Sequence, residues 1–92
     1  MYLEIVSPEA TLFAGEVNSV TVPGINGEFQ MLKDHAPIVS LLQSGKVIVD
    51  GDITIEEEYE SKFTNDTKGR TVLVITSGTI EMKDNKVIVL AD

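Results

Sequence analysis

The stretch Val20-Thr-Val-Pro-Gly-Ile-Asn-Gly-Glu-Phe-Gln-Met-Leu-Lys-Asp-His-Ala-Pro-Ile-Val-Ser-Leu-Leu-Gln-Ser44 decides how this chain folds. Its apolar residues alternate with polar ones on both sides of glycine-containing turns, which is typical of half-buried β-strands. We predict strands at Gly27–Leu32 and Ile38–Leu42, joined by an exposed connection over residues 33–37. Pro23-Gly24 suits a type II turn before them, because proline presets φ and glycine accepts a positive φ.

Toward the N-terminus, the pattern predicts a strand at Tyr2–Val6 and a short strand over residues 11–14, closed by Gly15. Residues 16–22 are less regular, because Val17 does not share the parity of Val20 and Val22. One extra residue in this strand, as in a β-bulge, would let Val17, Val20 and Val22 all face the core. We therefore expect a β-bulge at Asn18-Ser19.

Toward the C-terminus, residues 46–49 alternate cleanly, and two interpretations follow. In one, Asp50-Gly51 forms a hairpin turn that returns Ile53 and Ile55 against the preceding strand. In the other, residues 46–59 form one long bent strand, and the turn lies within residues 61–69. The second is favoured, because the strand predicted at residues 71–76 needs a neighbouring partner.

Residues 71–76 carry apolar side chains on both faces, which predicts a central strand covered on both sides. After Ser77-Gly78, a hairpin is expected around Asp84-Asn85, since both residue types tolerate a left-handed backbone. No segment of ten or more residues shows helical periodicity. The chain of 92 residues therefore reads as one all-β domain, over residues 1–92, with eight or more short strands in an antiparallel sandwich or barrel.

Composition narrows the classes of function. The formal charge is −8, which argues against a nucleic-acid partner and against a direct grip on anionic lipid, and is compatible with a basic protein partner. No apolar run approaches the roughly 18 residues of a membrane-spanning helix, and no signal peptide is visible. The absence of cysteine suits a reducing compartment. We expect a cytoplasmic chain without membrane insertion.

The residues give little support for catalysis or for a bound cofactor. His35 is the one histidine, and the adjacent Asp34 would point away from it on an extended backbone. Neither Ser40 nor Ser44 sits in a glycine-flanked nucleophile turn. One histidine without cysteine makes no zinc site, and the acidic run over residues 50–60 lacks the spacing of a calcium loop. We predict no catalytic residue, no cofactor and no metal.

Several separated motifs, in order along the chain, carry a family resemblance. They are Leu3-Glu-Ile-Val-Ser-Pro, Leu12-Phe-Ala-Gly15, Val20-Thr-Val-Pro-Gly-Ile-Asn-Gly-Glu28, His35-Ala-Pro-Ile-Val-Ser40, Gly45-Lys-Val, Ser77-Gly-Thr-Ile-Glu-Met and Asn85-Lys-Val-Ile-Val-Leu-Ala-Asp92. Together they resemble the epsilon subunit of rotary ATP synthases, which is called delta in mitochondria. The resemblance covers nearly the whole chain.

The resemblance implies a non-catalytic β-sandwich of about ten strands in the central stalk, which turns with the rotor and couples proton or sodium flow to ATP synthesis. Its partners would be the gamma subunit and the polar loops of the membrane c-ring, at the cytoplasmic face of a bacterial inner membrane. By this analogy the c-ring side would use Asn26, Gly27 and Glu28. The gamma side would use His35, Ala36, Pro37, Ser40 and Ser7.

Three departures from the family pattern qualify the resemblance. Lys33-Asp34 stands where the family usually has Pro-Gly, and residues 50–70 are longer than the usual connection. The sequence stops at Asp92, where typical members continue into two alanine-rich helices, so the ATP sensing and inhibition of those helices are not transferred. The alternative function is a stand-alone β-sandwich that binds a protein or a small ligand.

Overall fold

The chain is built almost wholly of short strands. The computed structural model describes residues 1–92, and its one helix is a 3₁₀ helix at Glu57–Lys62. No helix in it is long and apolar enough to cross a membrane. The prediction of an all-β fold with about ten strands and no substantial helix is confirmed. The strands are β1 (Tyr2–Val6), β2 (Thr11–Glu16), β3 (Ser19–Gly24), β4 (Gly27–Leu32), β5 (Ile38–Leu42), β6 (Gly45–Asp50), β7 (Phe63–Asn65), β8 (Thr71–Ile75), β9 (Gly78–Lys83) and β10 (Lys86–Ala91).

The ten strands form a continuous sheet that folds back on itself as a sandwich. One half has the order β2-β1-β10-β9-β5, and the other has the order β4-β3-β6-β8-β7. The two halves meet through the single pair Gly24–Leu42, between β3 and β5. The pairs are antiparallel except β1 with β10, which run parallel. The antiparallel prediction therefore needs one correction, which arises because these strands come from opposite ends of the chain and no tight turn dictates their direction.

The core lies between the two halves and consists of aliphatic side chains. Leu3, Ile5, Ile80, Val87 and Val89 point inward from the first half and are fully buried. From the second half, Val20, Val22, Met31, Val47 and Val49 meet them. Such β-branched and unbranched aliphatic residues pack closely on a pleated surface without needing aromatic bulk.

The predicted bulge at Asn18-Ser19 is wrong. β2 runs on to Glu16, and the link Val17-Asn18 carries the chain from one half of the sandwich to the other. The Val17 N–H donates to the Met1 carbonyl at 2.9 Å, and the Asn18 N–H donates to the Asp50 carbonyl at 2.8 Å. The change of parity at Val17 thus marks a corner between the halves. The register shift that does occur lies between β1 and β2, at Ile5/Val6.

The predicted turn at Pro23-Gly24 is displaced by two residues. Both residues lie within β3, where Pro23 pairs with Glu28 and Gly24 pairs with Gly27, and the turn is the dipeptide Ile25-Asn26. A Cβ atom on Gly24 would stand 2.6 Å from the Phe29 ring. That glycine is therefore required for close packing inside the strand rather than for a turn.

Neither interpretation of residues 50–62 describes the structure. β6 ends at Asp50, and residues 51–56 run extended without backbone hydrogen bonds to a neighbouring strand. Ile53 and Ile55 pack half-buried against the core, and their segment lies beside both β2 and β7. Both the Asp50-Gly51 hairpin and the long strand to residue 59 are therefore wrong, because side-chain burial holds this segment rather than strand pairing.

The predicted pairing of the strand after residue 70 is confirmed, since β8 pairs antiparallel with β6. β7 covers its other edge. Its faces are not both covered, however, because Val74 is 68% exposed on the outer surface. The hairpin of β9 and β10 around Asp84-Asn85 is confirmed, with positive φ angles of 52° and 61° at the two turn residues.

One prediction concerns the turn between β7 and β8, which Asp66 holds together. Its carboxylate accepts hydrogen bonds from the Lys68 and Arg70 backbone N–H groups, each at 2.9 Å, and from Arg70 Nε at 2.7 Å. Desolvation raises the pKa of Asp66, but these hydrogen bonds and the Arg70 charge outweigh it, so the net pKa lies below 3.8. We expect Asp66→Ala to lower the melting temperature at neutral pH, with Asp52→Ala as the exposed control.

The sign of the pH dependence follows from the lowered pKa. The stability that Asp66 contributes is fully present above the ordinary pKa of 3.8 and is lost as the pH falls through the lower pKa of the folded state. The difference in melting temperature between wild type and Asp66→Ala should therefore shrink on acidification. A difference that grows toward low pH would contradict this account of the turn.

Candidate protein-binding surface

The outer surface of the half that contains β5 carries exposed aliphatic side chains. Val39 and Leu41 of β5 are 75% and 59% exposed, and Leu90 of β10 is 50% exposed. Register aligns Leu41, Thr79, Leu90 and Val6 in one row across β5, β9, β10 and β1. The neighbouring row joins Val39, Glu81, Ile88 and Glu4. We call the five aliphatic members of these rows the apolar face: Val6, Val39, Leu41, Ile88 and Leu90.

The apolar face is not explained by the core, because the intervening positions already fill the interior. Ile5, Ile80 and Val89 alternate with its members and are fully buried. The apolar face has two parts, Val39 with Leu41 on β5 and Val6 with Ile88 and Leu90 on β1 and β10, and Thr79 and Glu81 of β9 lie between them. Exposed apolar side chains that are grouped among polar ones on a soluble domain commonly mark a site of contact with another protein. Charged side chains border it at one end, where Glu4 lies 3.1 Å from Lys86 Nζ and Lys86 also stands 5.6 Å from the centre of the Tyr2 ring.

The residues expected at the gamma subunit border this face from two opposite ends. His35, Ala36 and Pro37 are exposed and lead directly into β5. Ser7 follows β1 at the far end of the same half. Its hydroxyl oxygen accepts from the Ala10 N–H at 3.3 Å, so it stabilises the turn between β1 and β2. The apolar face occupies the surface between these two ends.

The His35 side chain makes a hydrogen bond to the neighbouring backbone. Its Nδ1 lies 2.7 Å from the Ala36 carbonyl oxygen. A carbonyl oxygen can only accept, so this nitrogen carries the proton and donates. The ring is thereby held against the chain at the entrance to β5, which suits an exposed contact residue.

Ser40 lies apart from the other residues predicted for the gamma side. It pairs with the buried Ile80 and lies on the inner face of β5, whereas Val39 and Leu41 point outward. Its side chain lines a shallow depression together with the turn between β3 and β4, including Asn26, Gly27 and Glu28. The structure thus groups Ser40 with the residues predicted for the c-ring side.

The turn between β3 and β4 presents its polar groups to solvent. Asn26, Gly27 and Glu28 are all exposed, and Glu28 makes no ion pair within the chain. Gly27 has φ of +120°. The turn also exposes Ile25, whose side chain is 54% accessible. One apolar tip beside one free carboxylate is an arrangement that a basic or amphipathic partner loop could contact.

The apolar face is not among the predicted contact sites, although the sequence of β5 and β10 indicates it. In Ile38-Val-Ser-Leu-Leu42, aliphatic residues occupy positions on both faces of the strand. A strand with one face in solvent needs them only on the face that meets the core. Val39 and Leu41 are the residues in excess of what the core requires. Leu90 and Ile88 give the same signal in β10.

Comparison with known proteins identifies relatives along the whole chain. Residues 1–92 match the family model described as the β-sandwich domain of the ATP synthase delta/epsilon chain. The chain is 39% identical over 90 residues to an ATP synthase epsilon chain of Chlorobaculum tepidum, covering 98% of this chain and 86% of that one. It is 36% identical over 92 residues to an ATP synthase epsilon chain of Campylobacter curvus, covering all of this chain and 60% of that one.

Two solved structures share the fold at low sequence identity. One is a chain of the Tetrahymena thermophila mitochondrial ATP synthase, solved as its central stalk and c-ring, with a TM-score of 0.73 and 10% identity over 98% of this chain and 61% of that one. The other belongs to the Euglena gracilis mitochondrial ATP synthase, solved with its OSCP, F1 and c-ring. Its TM-score is 0.71, with 22% identity over 97% of this chain and 48% of that one.

The conformation of the turn between β3 and β4 yields a prediction at Gly27. A Cβ atom there would meet nothing within 4 Å, so Gly27→Ala would test backbone strain alone. We expect the substitution to reduce the free energy of unfolding by about 1–3 kcal/mol, because an L-residue rarely adopts this φ. Urea titration would measure the loss. The control Ile25→Ala should change it by less than about 0.5 kcal/mol, and equal losses in both variants would contradict the strain.

Proposed function

The chain belongs to the ATP synthase delta/epsilon chain family, whose β-sandwich domain it forms, and we propose that it joins the gamma subunit to the c-ring in the rotor of such an enzyme. The relatives at 36–39% identity are epsilon chains, which supports a subunit of the complex over the alternative of a stand-alone binding module. Its work in this proposal is mechanical: it holds two larger rotor parts at a fixed separation and orientation.

We assign the gamma contact to the apolar face. The observation that carries this assignment is the exposure of Val39, Leu41 and Leu90 on one surface, between His35 and Ser7. Transfer of such a side chain from water into an interface contributes about 1.5–3 kcal/mol. The flanking polar residues would form the rim of that interface, where they set orientation more than affinity.

We assign the c-ring contact to the turn between β3 and β4. Glu28 there has no intramolecular ion partner, and Asn26 and Gly27 offer exposed polar groups beside it. A basic residue in a ring loop would complete an ion pair worth about 0–1 kcal/mol if it stays exposed. The contact would therefore guide docking more than it would supply affinity.

This placement implies a location at a membrane without insertion into it. The domain would sit against the polar loops of the c-ring, at the cytoplasmic face of a bacterial inner membrane. It would take part in coupling proton or sodium flow to ATP synthesis through the gamma subunit, while the bond-making chemistry belongs to other subunits of the complex.

The gamma contact is tested by placing a charge in the apolar face. Leu41→Glu should weaken the complex with the gamma subunit at least about tenfold, because it removes apolar burial and buries an unpaired carboxylate. Isothermal titration with purified gamma subunit measures the affinity. Val74→Glu is the matched control, because Val74 is similarly exposed but lies on the outer surface of the other half.

Two outcomes separate this assignment from general damage. Both variants should retain the wild-type melting temperature within a few degrees, since neither side chain belongs to the core. If Val74→Glu weakened binding as much as Leu41→Glu, or if neither did, the gamma subunit would not dock on the apolar face.

The c-ring contact is tested by reversing the charge of Glu28. Glu28→Lys should lower ATP synthesis driven by an ion gradient in membranes carrying the assembled enzyme, while binding of the isolated gamma subunit stays unchanged. Glu57→Lys makes the same charge change as a control, because its 3₁₀ helix contacts β7, at the edge of the same half of the sandwich that lies away from β4. Normal coupling with Glu28→Lys, at low and at high salt, would remove the turn from the c-ring interface.

A further inference from the structure

The connection between β4 and β5 contains a turn that its own sequence does not favour. The His35 N–H donates to the Leu32 carbonyl at 3.1 Å, which closes a four-residue turn over Lys33 and Asp34. Asp34 has φ of +60°, whereas Lys33 is not in the positive-φ region. This is the pattern of a type II turn, whose third position prefers glycine or asparagine. An aspartate there adopts a left-handed conformation at some cost, whereas the third position of a type I turn has a negative φ that L-residues adopt without strain.

A side chain from a distant part of the chain holds this turn. Asn85 Oδ1 accepts the Asp34 N–H at 2.9 Å, across 51 residues of sequence. Asn85 is itself fixed in the hairpin between β9 and β10, with φ of +61°. In a type I turn the peptide between Lys33 and Asp34 would be rotated by about 180°. Its carbonyl oxygen would then face the Asn85 oxygen, and two acceptors would oppose each other.

We propose that Asn85 is a positioning residue, which selects the type II turn and thereby sets how His35, Ala36 and Pro37 enter the edge of the apolar face. The inference rests on the proposed function, because it assigns a purpose to this loop at the gamma interface. It concerns a residue outside that interface. Asn85 acts through Asp34, so that the connection between β4 and β5 and the hairpin turn between β9 and β10 behave as one rigid end of the sandwich.

Two single variants separate the hydrogen bond from the turn that carries it. Asn85→Gly removes the acceptor but keeps a residue that accepts positive φ, so the hairpin of β9 and β10 remains favourable. Asn85→Asp keeps an oxygen acceptor at the same place and tolerates the same backbone. A double variant with Asp34→Gly and Asn85→Gly makes the type II turn intrinsically favourable without Asn85.

The first readout needs only the chain itself. A type II turn brings the Lys33 Hα close to the Asp34 amide proton, whereas a type I turn separates them, so the nuclear Overhauser effect between these protons reports the turn. We expect this effect to be strong in wild type and in Asn85→Asp, weaker in Asn85→Gly, and strong again in the double variant. Unchanged intensity in Asn85→Gly would overturn the proposal.

The second readout is affinity for purified gamma subunit, measured at high salt so that the charge of Asn85→Asp is screened. We expect Asn85→Gly to bind about two- to tenfold more weakly, which corresponds to the net worth of one hydrogen bond. Asn85→Asp and the double variant should bind as wild type does. Wild type that binds no better than Asn85→Gly would overturn the positioning role alone, whereas wild type that does not bind at all would overturn the proposed function.

Discussion

The structure depends on one sharp fold of the sheet, where β3 and β5 are joined by the single pair Gly24–Leu42. This corner turns a ten-stranded sheet into two facing halves, and without it the aliphatic side chains on their inner surfaces would have no partner. The corner is crowded. A Cβ atom on Gly24 would stand 2.8 Å from the Gly27 carbonyl oxygen, and one on Gly45 would stand 2.7 Å from the Pro23 ring. Glycine at both positions lets β3 lie close to β4 and β6 beside this fold of the sheet.

The corner also relates the two candidate contact regions. β5 ends there, with its side chains Val39 and Leu41 pointing outward, and β3 ends there immediately before the turn that leads to Glu28. The apolar face and the polar turn therefore share one rigid region of the sandwich, with only packed strands between them. A block with extents of 32 × 27 × 24 Å that is built almost wholly of paired strands is suited to keep two partners in fixed register.

The elements that could be predicted from the sequence are those whose local pattern and tertiary role agree. β4, β5 and the hairpin of β9 and β10 follow from alternation and from turn residues, and the bounds of β4 and β5 are those predicted. The predictions at Val17 and Pro23 are wrong, because both depend on contacts with distant parts of the chain. Val17 lies in the link between the two halves, where its N–H donates to the Met1 carbonyl. Pro23 lies inside β3 and packs closely against Gly45. Residues 51–56 were misread for the same reason, since Ile53 and Ile55 alternate like a strand but bind the core without a ladder. The turn at Asp34 could not be predicted from its own residues, because the hydrogen bond that holds it comes from an asparagine 51 residues away.

The parallel pairing of β1 with β10 has a mechanical consequence. Because the two strands run in the same direction, Met1 and Asp92 lie at opposite ends of the same half of the sandwich. A force that draws these ends apart runs along both strands and loads their five paired positions together, from Tyr2–Lys86 to Val6–Leu90. Hydrogen bonds loaded in shear must break together, whereas those of a hairpin pulled open break one after another. The domain therefore resists stretching along this axis with the strength of a whole ladder, which suits a part under repeated torque.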